Sequence, residues 1–287
     1  MEETLVSQAV KTKGKTKRTS RLGKAALVLG SVAALTVGVT GSANAALLKP
    51  FGYMGDGAAK QEMFQPLFDY DADGCYPAAA VDASGRLNGG LHNSGSLGGG
   101  CKSNHLGQAN TYSRSKCDKG SGWCGIVYTL YFEKDQAVAG AVDKFGHRHD
   151  FEATVVWYHG NDQWPSYVSV SAHGNYTTKR FNDVEREGKR FKAVYHKDGS
   201  LPRGPFGTHS FRFAKAGERA EAWGNGSWDR PALVPYDTLW SKNRTAWNAL
   251  ENSSWDHANF PLQDKDDHFR GTLNAAKPSG ISFNAWS

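Results

Sequence analysis

The stretch Gly146-His147-Arg148-His149-Asp150-Phe151-Glu152 constrains this chain more than any other. It packs two imidazoles, two carboxylates and a guanidinium into seven residues, and the apolar run Ala153-Thr154-Val155-Val156-Trp157-Tyr158 follows without a break. That run has the β-branched and aromatic character of a buried strand. Charge this dense at the mouth of such a strand is costly to desolvate unless it is paired. A divalent cation is a partner that His, Asp and Glu can bind together. An oxygen-rich donor set favours a hard ion, Mg or Ca with Mn as a further choice, over zinc.

Strand geometry sharpens the reading. Side chains alternate along an extended chain, so Asp150, Glu152 and Thr154 share one face while Phe151, Ala153, Val155 and Trp157 share the other. His147 is out of phase with the two carboxylates. It joins them if the chain turns before the strand begins, and Gly146 permits such a turn. A loop carrying His147 then feeds a strand carrying Asp150 and Glu152. A solvated strand end with a local Arg148 salt bridge is the plainer alternative.

The first 45 residues read as a leader rather than as fold. Residues 11–24 hold seven lysines and arginines, an apolar run from Ala25 to about Thr40 follows, and Ala43-Asn44-Ala45 closes it. This is the order of a secretory signal with cleavage after Ala45. The apolar run is too short and too rich in small residues for a good membrane-spanning helix. The leader carries most of the basic excess in the net charge of +6, so residues 46–287 are nearly neutral. No basic stripe for a phosphate backbone remains, and nucleic acid is not expected as a partner.

Cys75, Cys101, Cys117 and Cys124 make an even count, which in a secreted chain reads as two disulfides with three possible connectivities. Cys75–Cys101 and Cys117–Cys124 close the shorter loops and are favoured on that ground. Asp69-Tyr70-Asp71-Ala72-Asp73-Gly74 opens like a calcium loop, but its twelfth position is Ala80, so an Asp-rich turn is the better reading. Strands are expected at Gly125–Glu133, Tyr167–Ala172, Phe191–His196 and His209–Ala214. A helix capped by Asp237 or Ser241 through Leu250, and another opened by Asp264 to Asp267 through Ala276, belong to the tail. With no linker or repeat, residues 46–287 are expected to form one domain, mainly β with a few short flanking helices and most simply an antiparallel β-sandwich. Trp164, Trp223 and Trp228 are assigned to its core rather than to a sugar platform, and His105, His173 and His196 to structural or solvated roles.

The seven-residue motif resembles the signature of the necrosis- and ethylene-inducing peptide-like proteins, secreted cytolysins that injure plant leaves. The likeness extends to Asp73-Gly74-Cys75-Tyr76-Pro77-Ala78-Ala79-Ala80-Val81-Asp82, to Tyr131-Phe132-Glu133-Lys134-Asp135-Gln136, and to Ala258-Asn259-Phe260-Pro261 with Asp264 and Phe269. The resemblance implies a β-sandwich like those of actinoporins and fungal fruit-body lectins. It also implies a divalent cation held by Asp135, His147, Asp150 and Glu152, with His209 near it. His149 and Arg148 support the loop. The partner implied is the headgroup of a glycosylinositol phosphorylceramide-type sphingolipid on the outer membrane surface of target cells, where membrane damage follows. Phe151 stands where the family usually has Trp, Glu133 replaces a Pro, and the loop from Asp135 to Gly146 is longer. That loop contains Asp143, which could take the place of Asp135.

A binding protein, not an enzyme, is therefore the expectation. A cupin-type metalloenzyme is the alternative, since His147-x-His149 followed by Glu152 imitates its ligand order with a spacing that is too short. A carbohydrate hydrolase using Asp150 and Glu152 as acid and base is set aside because Arg148 and His147 beside them would keep both ionised.

Overall fold

The computed structural model describes residues 47–140, 145–198 and 207–287, so both the leader and Asp143 lie outside the described residues. The chain forms β1 (Leu67–Tyr70), β2 (Asn110–Cys117), β3 (Trp123–Asp135), β4 (His147–His159), β5 (Tyr167–Ala172), β6 (Asn175–Arg180), β7 (Arg186–Glu187), β8 (Arg190–Lys197), β9 (His209–Phe213) and β10 (Ala232–Pro235). The larger sheet has the order β10-β2-β3-β4-β5-β6, and in the smaller β8 pairs with β1, β7 and β9. β1 runs parallel to β8 and β10 parallel to β2, so both sheets are mixed rather than purely antiparallel as expected.

β3 and β4 are the long central pair, held in one register from Trp123↔His159 to Asp135↔His147. Their apolar residues point both ways because both faces of this sheet are covered. Ile126, Tyr128, Leu130, Phe132, Val156 and Tyr158 share one cluster with Phe191, Ala193, Tyr195 and Phe211 of the smaller sheet. Val127, Tyr131, Ala153, Val155 and Trp157 share another with the helices and the C-terminal segment. Burying Trp157, which is fully inaccessible, contributes about 3 kcal/mol.

The helical tail differs in detail from the expectation. α1 (Ala59–Phe64) precedes the sheets, whereas α2 (Tyr236–Lys242), α3 (Arg244–Asn252) and α4 (His268–Ala276) follow them. The expected single helix through Leu250 is split at Asn243, whose φ of −147° breaks the spiral. Its side-chain oxygen then caps α3 by accepting the Ala246 N–H at 3.0 Å. Asp266 and Asp267 are left-handed and lead into α4 without a side-chain cap. The disulfides are Cys75–Cys101 and Cys117–Cys124, as expected. Among the described residues no helix is long and apolar enough to cross a membrane.

The Asp-rich turn is built into the protein by ordinary bonds. Asp69 accepts the N–H groups of Glu221 and Ala222, and Asp71 pairs with Arg212 at 3.4 Å. Trp164 and Trp223 are not core residues: they are 53% and 43% exposed. Trp228 is only half-buried, with the Lys192 ammonium over its ring. Trp157 and Trp255 are the tryptophans that the apolar clusters enclose.

Candidate metal and ligand cavity

Asp135 ends β3, and the register sets it opposite His147 at the start of β4. Asp150 and Glu152 follow on β4, on the face turned toward the smaller sheet. The structure brings Asp135, His147, Asp150, Glu152 and His209 onto the wall of one cavity of about 630 Å³. His147 reaches it by a route the alternation pattern did not contain. The strand already begins at His147, and the change of phase falls inside it, at His149, whose φ is 58°. A left-handed non-glycine residue within a strand is strained. Its neighbours hold it there: the Tyr131 hydroxyl lies 2.7 Å from Nδ1, and Trp255 packs edge-on at 5.1 Å. Gly90, also left-handed, leaves room for the His149 ring, since a Cβ there would lie 2.7 Å from it.

Each carboxylate is buried, with Asp135 2%, Asp150 6% and Glu152 6% exposed. Each is anchored by one of its oxygens. Asp135 Oδ1 accepts the His209 N–H at 2.9 Å and the ring Nδ1–H at 2.8 Å. Asp150 Oδ2 accepts the Tyr195 hydroxyl at 3.0 Å, and Glu152 Oε2 accepts the Ser171 hydroxyl. Among the described residues the second oxygen of each has no hydrogen-bond partner. His209 also places Nε2 3.1 Å from the Asp73 carbonyl, and an imidazole donates through both nitrogens only when charged. His147 bonds the His149 carbonyl through Nδ1 at 2.6 Å. Its other nitrogen, Nε2, is then the one with a lone pair to offer when the ring is neutral.

The electrostatics follow from crowding. Burial and the neighbouring Asp135 charge push Asp150 up to about 7. Burial and the Asp150 charge drive Glu152 well above the usual carboxylate range. Burial also opposes the charge on Asp135, but its bonds to His209 outweigh this and hold it below the ordinary value. Burial works against charging His147 and His209. The Asp150 and Asp135 charges nevertheless raise His147, and the hydrogen bond to Asp135 raises His209.

Arg148 does not keep the two carboxylates ionised, contrary to the expectation. Its guanidinium turns away to the Gly89 carbonyl at 3.1 Å, and Asp150 and Glu152 rise. His149 is outside the cavity wall, burial lowers its ring to about 4, and it lies within β4 rather than in a loop before it. Phe151 packs on Tyr131, Trp255 and Phe260 at 5.0–5.1 Å, filling the place expected for a larger ring. Glu133 meets His105 at 2.9 Å, a structural pair.

His173, Ser171 and Thr208 also line the cavity, and no sequence signal marked them. His173 Nε2 is 2.9 Å from Asp198 Oδ2, and its Nδ1 is 3.2 Å from the Thr208 hydroxyl. It reaches the cavity only because β5 lies beside β4 and ends there. The adjacency of Thr208 to His209 was the one local hint.

A divalent cation fits this donor set by its chemistry. Among the described residues, three buried carboxylates each bond through one oxygen and keep the other without a hydrogen-bond partner, and one imidazole has its tautomer set by a backbone bond. Among the described residues no three such groups already stand in coordinating geometry. The Tyr195, Ser171 and His209 bonds hold the carboxylates where they are.

Residues 58–276 match the family described as "Necrosis inducing protein (NPP1)". The NLP effector protein 10 of Phytophthora capsici is 35% identical over 207 residues, which is 70% of this chain and 76% of the relative. A solved structure of NLPPya in complex with mannosamine superposes with a TM-score of 0.60 at 27% identity, covering 76% of this chain and 89% of the other. The non-toxic HaNLP3 protein superposes with a TM-score of 0.63 at 25% identity, covering 82% and 99%. The central strand pair and the cavity at its end therefore lie on a shared toxin fold, and the chain belongs to the necrosis-inducing protein family.

Proposed function

We propose that this chain is an exported lectin-like cytolysin, in which a divalent cation at the end of β3 and β4 lets the cavity grasp a sugar headgroup on a target membrane. The observation that carries the reading is the convergence of Asp135, His147, Asp150 and Glu152 on one solvent-connected cavity. Asp135, Asp150 and Glu152 would give oxygens and His147 its Nε2, while His209 positions Asp135. The bound cation would supply Lewis acidity and fixed positive charge for sugar hydroxyls. The mannosamine complex of NLPPya supports a saccharide as the ligand class. A glycosylinositol phosphorylceramide-type sphingolipid is the headgroup we assign, with Mg or Ca as the ion, and membrane damage follows its capture. In this reading the two sheets form a sandwich of the actinoporin and fungal-lectin kind, residues 46–287 act as one domain, and the leader directs secretion.

No chemical step is required of the cavity, so the protein is read as a binder and not as an enzyme. The cupin alternative needs His149 as a second imidazole ligand, and His149 instead meets Tyr131 away from the cavity. The test is binding to vesicles that contain glycosylinositol phosphorylceramide. Chelation should abolish it, and Asp150→Ala or Glu152→Ala should do the same while leaving the circular dichroism spectrum unchanged. Binding that persists through both treatments removes the cation from the mechanism.

A further inference from the structure

A second recessed surface lies on the helical flank, built by residues outside the cation cavity. Two adjoining depressions, of about 280 and 190 Å³, share Arg114, Asp237 and Asp264 and so form one trough. Its first half is walled by Trp240, Trp247 and Tyr236, and its second reaches Lys116 and Arg270. Trp240 is 49% exposed, yet it is not a loose surface ring. The Arg244 guanidinium lies 4.5 Å from its ring centre and 4.7 Å from that of Trp247, clasping α2 to α3. Trp247 in turn packs on Tyr236 at 5.6 Å.

The polar groups are divided unevenly. Arg114 is committed: it donates to the Leu262 carbonyl at 2.7 Å and to Asp264 Oδ2 at 3.0 Å. Asp264 thus keeps Oδ1 open, and the exposed Asp237 carboxylate, which borders both halves, makes no hydrogen bond or ion pair among the described residues. The trough therefore offers an exposed indole held by Arg244, with carboxylate acceptors beside it. A fixed aromatic platform with a few convergent acceptors suits a ligand with an apolar face and a rim of hydroxyl donors. A pyranose has that shape, and the volume suits one or two rings. An acyl chain would strand the carboxylates. A quaternary ammonium needs a cage of several ring faces, whereas Arg244 already covers one face of both Trp240 and Trp247 and leaves the remaining exposed side of Trp240 as a single platform.

We propose that this trough is a second saccharide site, in which a pyranose lies against Trp240 and its hydroxyls bond to Asp237 and Asp264. The site is independent of the cation and would give the protein two points of attachment to a glycan-covered surface. Two linked weak contacts raise the effective affinity well beyond either one.

The test uses the full chain carrying Glu152→Gln in chelator, so that the first cavity is silent. The probes are methyl glucoside, methyl galactoside, methyl mannoside and cellobiose, followed by saturation-transfer NMR and tryptophan fluorescence. At least one probe should bind saturably. Trp240→Ala and, separately, Asp237→Asn should each weaken it roughly tenfold, whereas Trp240→Phe should retain part of it. Both altered side chains are exposed, so folding should be preserved, and the melting temperature checks this. The proposal is overturned if none of the four probes binds the Glu152→Gln protein, or if binding is undiminished after Trp240→Ala.

Discussion

Asp150 and Glu152 occupy positions where their own charge is the problem. Both are buried against a third carboxylate, and both titrate high. Their folded forms hold protons that the unfolded chain has released, so these two groups cost stability as pH rises from about 4 upward. For Asp150, moved from 3.8 to about 7, the cost is on the order of 4 kcal/mol. We expect chelator-treated protein to lose melting temperature between pH 5 and 7.5. Asp150→Asn should flatten that slope, and added Ca or Mg should reverse it. A scan of thermal unfolding against pH, with and without chelator, is the measurement. His209 and Asp135 act in the opposite sense to one another. The raised His209 stabilises below its ordinary pKa and loses this as pH climbs through its folded value. The lowered Asp135 stabilises above the ordinary carboxylate range and loses this as pH falls through its folded value. Their joint contribution is therefore greatest between the two, in mildly acidic to neutral solution. His149→Ala should weaken cation affinity in calorimetry without abolishing it and lower the melting temperature, since the ring holds the left-handed phase change in place but gives no donor to the cavity.

At the scale of elements, the strand start is held in shape by the glycine-rich segment that lies beside it. Leu91 N–H donates to the Glu133 carbonyl at 2.7 Å, and Lys134 Nζ donates to the carbonyls of Ser94 and Ser96. Gly90→Ala forces a Cβ onto the His149 ring at a left-handed position. It should cost about 2 kcal/mol and weaken cation binding, read by denaturant unfolding and calorimetry. Asn243→Ala removes the α3 cap and should cost about 1 kcal/mol, with no effect on the cavity. Legibility also divides at this scale. β3, β5, β8 and β9 could be read because valine, phenylalanine and tyrosine recur in them. β2 (Asn-Thr-Tyr-Ser-Arg-Ser-Lys-Cys) and β6 (Asn-Tyr-Thr-Thr-Lys-Arg) are mostly polar, and β1 and β10 have four residues each. Their strand character comes from their neighbours and not from their own composition. The proposed cation donors were legible because three of them lie within six residues. The phase change at His149 was not, since a positive φ leaves no mark on a histidine. His173 and the Trp240 trough depend on contacts between distant segments, which no local pattern carries.

Across the whole molecule, the partners that complete each sheet are far apart along the chain. β1 waits for β8 and β9, and β2 receives β10 more than a hundred residues later. Such topology makes folding slow, because long loops must close before any pairing rewards them. The Cys75–Cys101 bridge, with a sequence separation of 26, shortens part of that search and should contribute about 3 kcal/mol. Reduction should therefore lower the denaturant midpoint without changing the secondary structure of what remains folded. A ribosome that has released everything before Ala232 has made a chain whose larger sheet still lacks its edge strand, so that sheet cannot be completed until β10 has followed. Whatever activity depends on the finished sheet is therefore withheld by the order in which its segments emerge.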